Sequence, residues 1–343
     1  MESGATLTDT ARALLHQAGV QATVTAVEPL SGGANNRAFR VRSSERSYLL
    51  KEYWREPGER DRLGAEFEFA RFAREGGLEV VPAALARAEG AALYEFVEGR
   101  PAVPGDVTVA SVGQAAELAA GLIRLGRAGG ERLPEAAEAC FSLAGHLDLI
   151  GGRVERLARI DPAQEMGEEC LRLVHGRLMP AWDLARERME AKASENGPDL
   201  RAELPRDGRC VSPSDFGFHN ALVEAGGRLR FVDFEYAGWD DPAKLVCDFF
   251  CQPAVPVAHS HLPAFAERVL VELADPEAAR TRVGLLLPCY RVKWVCIMLN
   301  EFLPAGSRRR AFARGADPGD ARRRQLGRAR AALDAIEAAT KPG

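Results

Sequence analysis

Asp215, Asn220 and Asp233 have the residue types and spacing for phosphoryl transfer. The first two lie in Ser212-Pro213-Ser214-Asp215-Phe216-Gly217-Phe218-His219-Asn220, and the third ends the run Leu229-Arg230-Phe231-Val232-Asp233. A carboxylate placed like Asp215 can orient an attacking hydroxyl and take its proton. An amide oxygen and a second carboxylate, Asn220 and Asp233, are the hard oxygen ligands that hold Mg2+ against phosphates. Ala221-Leu222-Val223 and Leu229-Arg230-Phe231, with Gly226-Gly227 between them, read as a β-hairpin carrying the second acid. Asp-x4-Asn alone recurs by chance. Its plain alternative is a pair of turn residues bonded to their own backbone, with Asp233 capping the next element.

Groups upstream decide between these readings. Leu30-Ser31-Gly32-Gly33-Ala34-Asn35-Asn36 separates two strand-like runs, and glycines there let backbone amides approach a phosphate closely. Lys51, in Tyr48-Leu49-Leu50-Lys51-Glu52, puts a cation on the next strand. Glu66 on the following helix is its expected partner, with Glu68 as a fallback. Each alone reads as a hairpin turn, a surface lysine or a solvated helix acid. Glycine turn, strand lysine, helix acid, Asp-x4-Asn loop and hairpin acid, in that order, form the layout of a kinase.

The elements that must position them follow from periodicity. Leu7 to Ala18 has helical spacing and stops at Gly19; strand-like runs follow at Val24 to Leu30, Ala38 to Arg42 and Ser47 to Tyr53. Asp61 to Arg74 is helical, and Val80 to Ala86 and Ala91 to Val97 are strand-like. Glu98-Gly99-Arg100-Pro101 reads as a connector. Beyond it helices are expected at Val107 to Gly126, Phe141 to Ile160, Glu165 to Ala193, Leu262 to Leu273, Glu277 to Leu299 and Gly319 to Ala339. The expectation is an α+β fold of two lobes. Residues 1–97 form a small antiparallel sheet with one main helix that holds nucleotide, and residues 98–343 form a larger, mostly helical lobe with the base and the acceptor.

Bulk properties narrow the class. The 343 residues are 46% hydrophobic, enough for one large core or two sharing a cleft, and the net charge of −4 gives no field to attract nucleic acid or an anionic membrane. Seven cysteines, with no Cys-x-x-Cys pair, read as reduced packing residues without zinc. Met1-Glu2-Ser3-Gly4 lacks a secretory pattern, so the expected location is cytoplasmic. Val283 to Leu299, interrupted by Arg291 and Lys293, is expected to be a buried helix rather than a membrane span.

Over essentially its whole length the chain resembles the aminoglycoside phosphotransferase and choline kinase-like family, relatives of protein kinases. Ser31, Gly32, Gly33, Asn36 and Phe39 match the family's Ser-Gly-Gly turn with its asparagine and aromatic strand, and Glu95-Phe96-Val97-Glu98-Gly99 matches its hinge. The resemblance implies a protein-kinase-like fold and ATP as donor, with GTP left open. It implies adenine bound by backbone groups near Glu95 and Val97, beside Leu49 and Tyr94. The family's catalytic loop is His-x-Asp-x4-Asn, and Pro213 stands here in the histidine's place. His219 is read as structural or substrate-facing. Asp241, followed by Pro242, is expected to cap a helix, and Asp248 to brace the catalytic loop from it.

The expected acceptor is a small hydroxylated molecule. Between Asp233 and Asp241 no Ser or Thr is present, so a protein kinase's phosphorylatable segment is absent. The basic run that includes Arg308, Arg309, Arg310, Arg314, Arg322, Arg323 and Arg324 argues against a polycation and for a neutral or anionic acceptor: a sugar, a nucleoside-type molecule or a glycosylated natural product. Antibiotic inactivation or self-resistance is then one role. Candidate acceptor contacts are Glu235, which also suits an outer magnesium ligand, with Trp239, Asp240, Arg291, Lys293 and Asn300; Tyr290 and Trp294 are further stacking candidates. The alternatives are a metabolic kinase for choline, homoserine or a thio-sugar, and an inactive nucleotide-binding pseudokinase. Monomer and homodimer both stay open.

Overall fold

A computed structural model of the chain describes residues 6–30, 36–55, 58–195, 197–304 and 318–340. Ser31, Gly32 and Gly33, and the arginines at 308, 309, 310 and 314, lie outside the described residues. Helix α1 (Leu7–Gln17) opens on a capping box between Thr6 and Asp9 and buries Ala11, Leu14 and Leu15. It packs on a five-stranded antiparallel sheet of β1 (Val24–Leu30), β2 (Asn36–Ser43), β3 (Ser47–Tyr53), β4 (Ala84–Ala88) and β5 (Ala91–Glu95), in the order β1-β2-β3-β5-β4. In that register Lys51 lies opposite Ala38 on one side and Ala92 on the other. Directly opposed residues share a face, so two alanine methyls leave the lysine stem room across the sheet. Helix α2 (Arg62–Glu75), capped by Asp61 at the Gly64 amide (2.9 Å), carries Glu66.

The strand expected from Val80 begins only at Ala84. The Val80 carbonyl instead accepts from the Phe231 amide at 2.8 Å, which ties this segment to the second half of the chain. There, β6 (Arg100–Pro101), β8 (Ala221–Val223) and β9 (Leu229–Phe231) form a three-stranded sheet, and β7 (Cys210–Ser212) pairs with β10 (Gly238–Asp240). These small sheets hold the catalytic stretch among helices α3 (Val109–Ala128), α4 (Leu143–Leu157), α5 (Gly167–Leu173), α6 (Met179–Ser194), α7 (Pro242–Cys251), α8 (Leu262–Leu270), α9 (Pro276–Met298) and α10 (Pro318–Thr340). The result is the two-lobed protein-kinase-like arrangement.

Two helical details follow from proline. The long helix expected from Glu165 is broken at Val174–Leu178 by a π-type turn just before Pro180. A proline has no amide to donate and its ring crowds the carbonyl four residues back, and the wider turn absorbs both. Asp241 caps α7 at the Ala243 amide (2.7 Å), with Pro242 in the first turn. The buried His146 Nε2 and Arg282 Nε each lie 3.1 Å from the same carboxylate. Helix α9 is long and apolar enough to cross a bilayer, yet 67% of its apolar window is buried, against α4, α6, α7 and α10.

The main core is continuous from α2 to α10, and a smaller one lies between α1 and the sheet. Leu14 and Leu15 are 1% exposed at the centre of the smaller core. Leu15→Ala is therefore expected to lower unfolding stability by about 2–5 kcal/mol. Urea denaturation measures it, and a loss below about 1 kcal/mol would mean that α1 contributes little to the fold.

Candidate active site

The cleft between the five-stranded sheet and the catalytic stretch is organised by one ammonium group. Lys51 Nζ donates to both Glu66 oxygens (2.9 and 2.7 Å) and to Asp233 Oδ1 (2.8 Å). Strand β3, helix α2 and the loop after β9 thus meet at one atom. Lys51 and Glu66 are 7% and 4% exposed, so each needs the other. Burial works to lower the Lys51 pKa, but the Asp233 and Glu66 carboxylates outweigh it and hold it well above its ordinary value. Burial, with the Asp233 charge nearby, raises Glu66 against the pull of Lys51. The Tyr53 hydroxyl donates to Glu66 at 2.7 Å and lies 2.8 Å from the Tyr94 hydroxyl, fixing the glutamate from behind. Glu68, the fallback partner, instead pairs with Arg71 and Arg87 at the surface.

The catalytic loop runs from β7 to β8, with Ser214 in the left-handed region (φ 64°); Asp233, after β9, is there too (φ 68°). Such conformations persist where neighbours over-determine them. Ser214 Oγ accepts from Lys244 Nζ (2.9 Å), and the Ser214 amide donates to Ser212 Oγ (3.0 Å). These contacts support the loop beside Pro213. Asn220 Nδ2 donates to the Asp215 carbonyl at 2.9 Å and lies 3.3 Å from Asp215 Oδ2. Only the NH2 end of an amide can bond a carbonyl, so Asn220 Oδ1 is the end left to face a cation. The Val232 amide donates to the Asn220 carbonyl (2.9 Å), joining Asn220 to the segment that carries Asp233. An amide oxygen and a carboxylate, one of them 39% exposed, form a donor set that fits a magnesium ion.

His219 enters where the sequence left the base without support. Its Nε2 lies 3.0 Å from Asp215 Oδ1. Burial works to raise the Asp215 pKa, but the hydrogen bond and charge of His219, then Asn220 and Lys293, hold it below the ordinary carboxylate value. Burial works to lower that of His219, and Asp215 raises it above the usual imidazole value. The signal was a histidine four positions after Asp215 within the same short loop. Phe216 and Phe218 are buried against Phe249, at centroid distances of 5.0 and 5.9 Å. The loop bends at Asp215 and Gly217 and closes in a 3-10 turn over Phe218–Asn220, which brings the His219 ring back to Asp215.

Several expected acceptor contacts are committed elsewhere. Trp239 is 4% exposed in β10; its indole N–H donates to the Gly130 carbonyl (2.8 Å) and the Arg206 guanidinium covers its ring at 3.5 Å, so it is a core residue. Asp240 is fully buried and paired with Lys244; burial pushes its pKa up to about 6 even against that ammonium. Lys293 is 3% exposed and bonds both Asp248 oxygens at 3.0 Å, while the Trp294 indole donates to Asp248 Oδ1 at 2.8 Å. Tyr290 is fully buried, its hydroxyl 2.8 Å from His146 Nδ1. Arg291 lines a separate cavity with Arg177, Arg188 and Ile336. Asn300 sits in the turn after α9, where its carbonyl accepts from the Leu303 amide (3.0 Å). Glu235 is buried and accepts from Asn36 Nδ2 at 2.8 Å, a bond between the sheet and the loop after β9.

A cavity of about 420 Å³ opens beside this cluster. Leu30, Ala38, Leu49, Val97, Leu222 and Val232 give it apolar walls, and Asn36, Lys51, Glu66 and Asp233 line its polar end. Glu95 is held by the Ala83 backbone and Arg230. Among the described residues, neither the N–H nor the C=O of Val97 bonds other backbone. A flat heteroaromatic ring between such walls would find a donor and an acceptor at its edge.

Residues 26–280 match the model of the phosphotransferase enzyme family. No curated protein matches the chain. Among solved structures, spectinomycin phosphotransferase in complex with ADP and spectinomycin is 12% identical, with a TM-score of 0.61 over 94% of this chain and 96% of that one. Choline kinase from Cryptosporidium parvum Iowa II is 12% identical (TM-score 0.54, 91% of this chain and 90% of that one). Amicoumacin kinase in complex with AMP-PNP, Ca2+ and amicoumacin is 14% identical (TM-score 0.54, 90% and 88%). These likenesses agree with the fold built above, and the family match spans most of the sequence: the chain belongs to the phosphotransferase enzyme family.

Proposed function

We propose that the protein transfers the γ-phosphoryl group of ATP to a hydroxyl of a small molecule, with Asp215 as base and Asn220 and Asp233 as the seat of Mg2+. In this reading residues 1–97 hold the nucleotide and residues 98–343 the base and acceptor. The carrying observation is the convergence at Lys51: its bonds to Glu66 and Asp233 join the sheet to the segment whose Val232 is tied to Asn220, itself bonded to Asp215. A bound magnesium ion would neutralise charge on the phosphates. Lys51 meets the phosphates at the polar end of the cavity, and Glu66 keeps its stem extended across the sheet. Apolar walls exclude water from the adenine, and backbone groups near Glu95 and Val97 read its edge. Asp215 orients the acceptor hydroxyl and takes its proton as the O–P bond forms and the bond to ADP breaks.

The acceptor reading is a neutral or anionic hydroxylated molecule such as a sugar, a nucleoside-type compound or a glycosylated natural product. It is supported by the carboxylates around the base, which already have cationic partners: Asp240 with Lys244, Asp248 with Lys293, and Glu138 with Arg153. A polycation would have to compete with each. Spectinomycin and amicoumacin, bound in similar structures, make inactivation of an antibiotic hydroxyl a role worth testing.

Asp215→Asn is expected to lower transfer from ATP by about 10² to 10⁴-fold with ADP affinity nearly unchanged. Coupled ADP release and calorimetry measure the two, and undiminished turnover removes Asp215 as base. Chelation of divalent cations by EDTA is expected to stop turnover, and added Mg2+ to restore it; activity that persists in EDTA rules out the metal role of Asn220 and Asp233. A panel of neutral, anionic and polycationic hydroxylated acceptors, followed by ADP formation, tests the charge reading. Preference for the polycations overturns it and leaves the reaction standing.

A further inference from the structure

We propose that His219 is the positioning residue of the base: by donating from Nε2 to Asp215 Oδ1 it fixes the carboxylate's rotation and leaves Oδ2 for the acceptor hydroxyl. The proposal rests on Asp215 being the base. It adds a role for a side chain that follows the base by four positions, where Pro213 occupies the place of the loop histidine.

Asp215 has few other constraints on its rotation. Its side chain is 33% exposed, and among the described residues the other side-chain hydrogen bond it receives is the long one, 3.3 Å, from Asn220 Nδ2 to Oδ2. A carboxylate free to turn about its last bond presents either oxygen at a range of angles, and a hydroxyl needs one of them at a fixed angle. The 3.0 Å contact from His219 removes that freedom.

The surroundings hold the imidazole in turn. The Trp294 ring meets it edge-on, at 6.4 Å and 76°, and the Trp294 indole is fixed by Asp248. Gly217 makes the space: a Cβ there would stand 2.8 Å from His219 Nδ1, 3.0 Å from Cε1 and 2.9 Å from Gln252 Cγ. The Gly217 backbone is extended (φ 171°), so any residue could adopt its conformation. Glycine is required there by the ring, not by the turn. Asp248 thereby braces the base through Trp294 and His219.

The test uses the full-length protein with Mg·ATP and no acceptor, reading phosphate release to water, with ATP affinity read by calorimetry. His219→Ala is expected to lower kcat about 10- to 100-fold with KM for ATP within about two-fold, the size usual for a partner that orients a reacting group. His219→Gln, whose amide nitrogen reaches the same place as Nε2, is expected to recover most of that loss, and His219→Asn, one bond shorter, to recover little. Gly217→Ala should push the ring away and reproduce the His219→Ala loss, and the double variant should lose no more than either single one. Unchanged kcat in His219→Ala overturns the proposal, as does equal impairment of His219→Gln at matched thermal stability. Two-bond proton–nitrogen NMR of the ring reads the same contact without turnover. Nε2 is expected to carry a proton and its signal to move in Asp215→Asn; a bare Nε2 or an unmoved signal overturns the proposal. Loss of turnover in the wild type with the NMR contact present would count against the phosphotransfer reading alone.

Discussion

Burying an ammonium group is costly unless its charge is met, and the cleft depends on how that condition is satisfied at Lys51. Two carboxylates meet it from different parts of the chain, Glu66 from α2 and Asp233 from the loop after β9. Removing either would leave the buried Lys51 ammonium poorly compensated. The sheet contributes by what it omits. Alanine at both positions opposite Lys51 clears the face along which the lysine stem must lie. The left-handed backbone at Asp233 is tolerated because the ion pair on one side and the Val232 amide bond on the other hold it in place.

A second network, centred on Asp248, serves the base as the first serves the phosphates. Asp248 takes two hydrogen bonds from Lys293 and one from Trp294, and Lys244 lies beside it while reaching Ser214 in the catalytic loop. Helices α7 and α9 therefore act on the loop through side chains that are themselves immobilised. Lys293 of α9, which looks like a pocket residue in the sequence, has its charge spent on this bracing.

What the sequence disclosed depended on whether the physics was local. Strand alternation and helical spacing located Lys51 and Glu66 on adjoining elements, and the structure brings them together. The same patterns could not separate a polar residue in a cleft from one paired in the core: Trp239 and Asp240 sit in a strand whose three residues are all buried. Lys293 was legible as a cation on an apolar helix, but its partner Asp248 lies 45 positions earlier, a separation that spacing does not reveal. The break before Pro180 was available from the proline itself. His219 was legible as a polar residue four positions after Asp215, but the 3-10 turn over Phe218–Asn220 that brings its ring to the carboxylate was not.

Asn220 serves two neighbours with opposite ends of one amide. The nitrogen end straps the Asp215 carbonyl, and the oxygen end is left for a cation. A carboxylate at this position would keep an oxygen for the ion but turn a donor into a second acceptor facing a carbonyl, and add negative charge next to the base. A shorter polar side chain such as serine would lack the span to serve both. The shape of the loop and the seat of the ion are thus written into a single functional group, so neither can drift without the other.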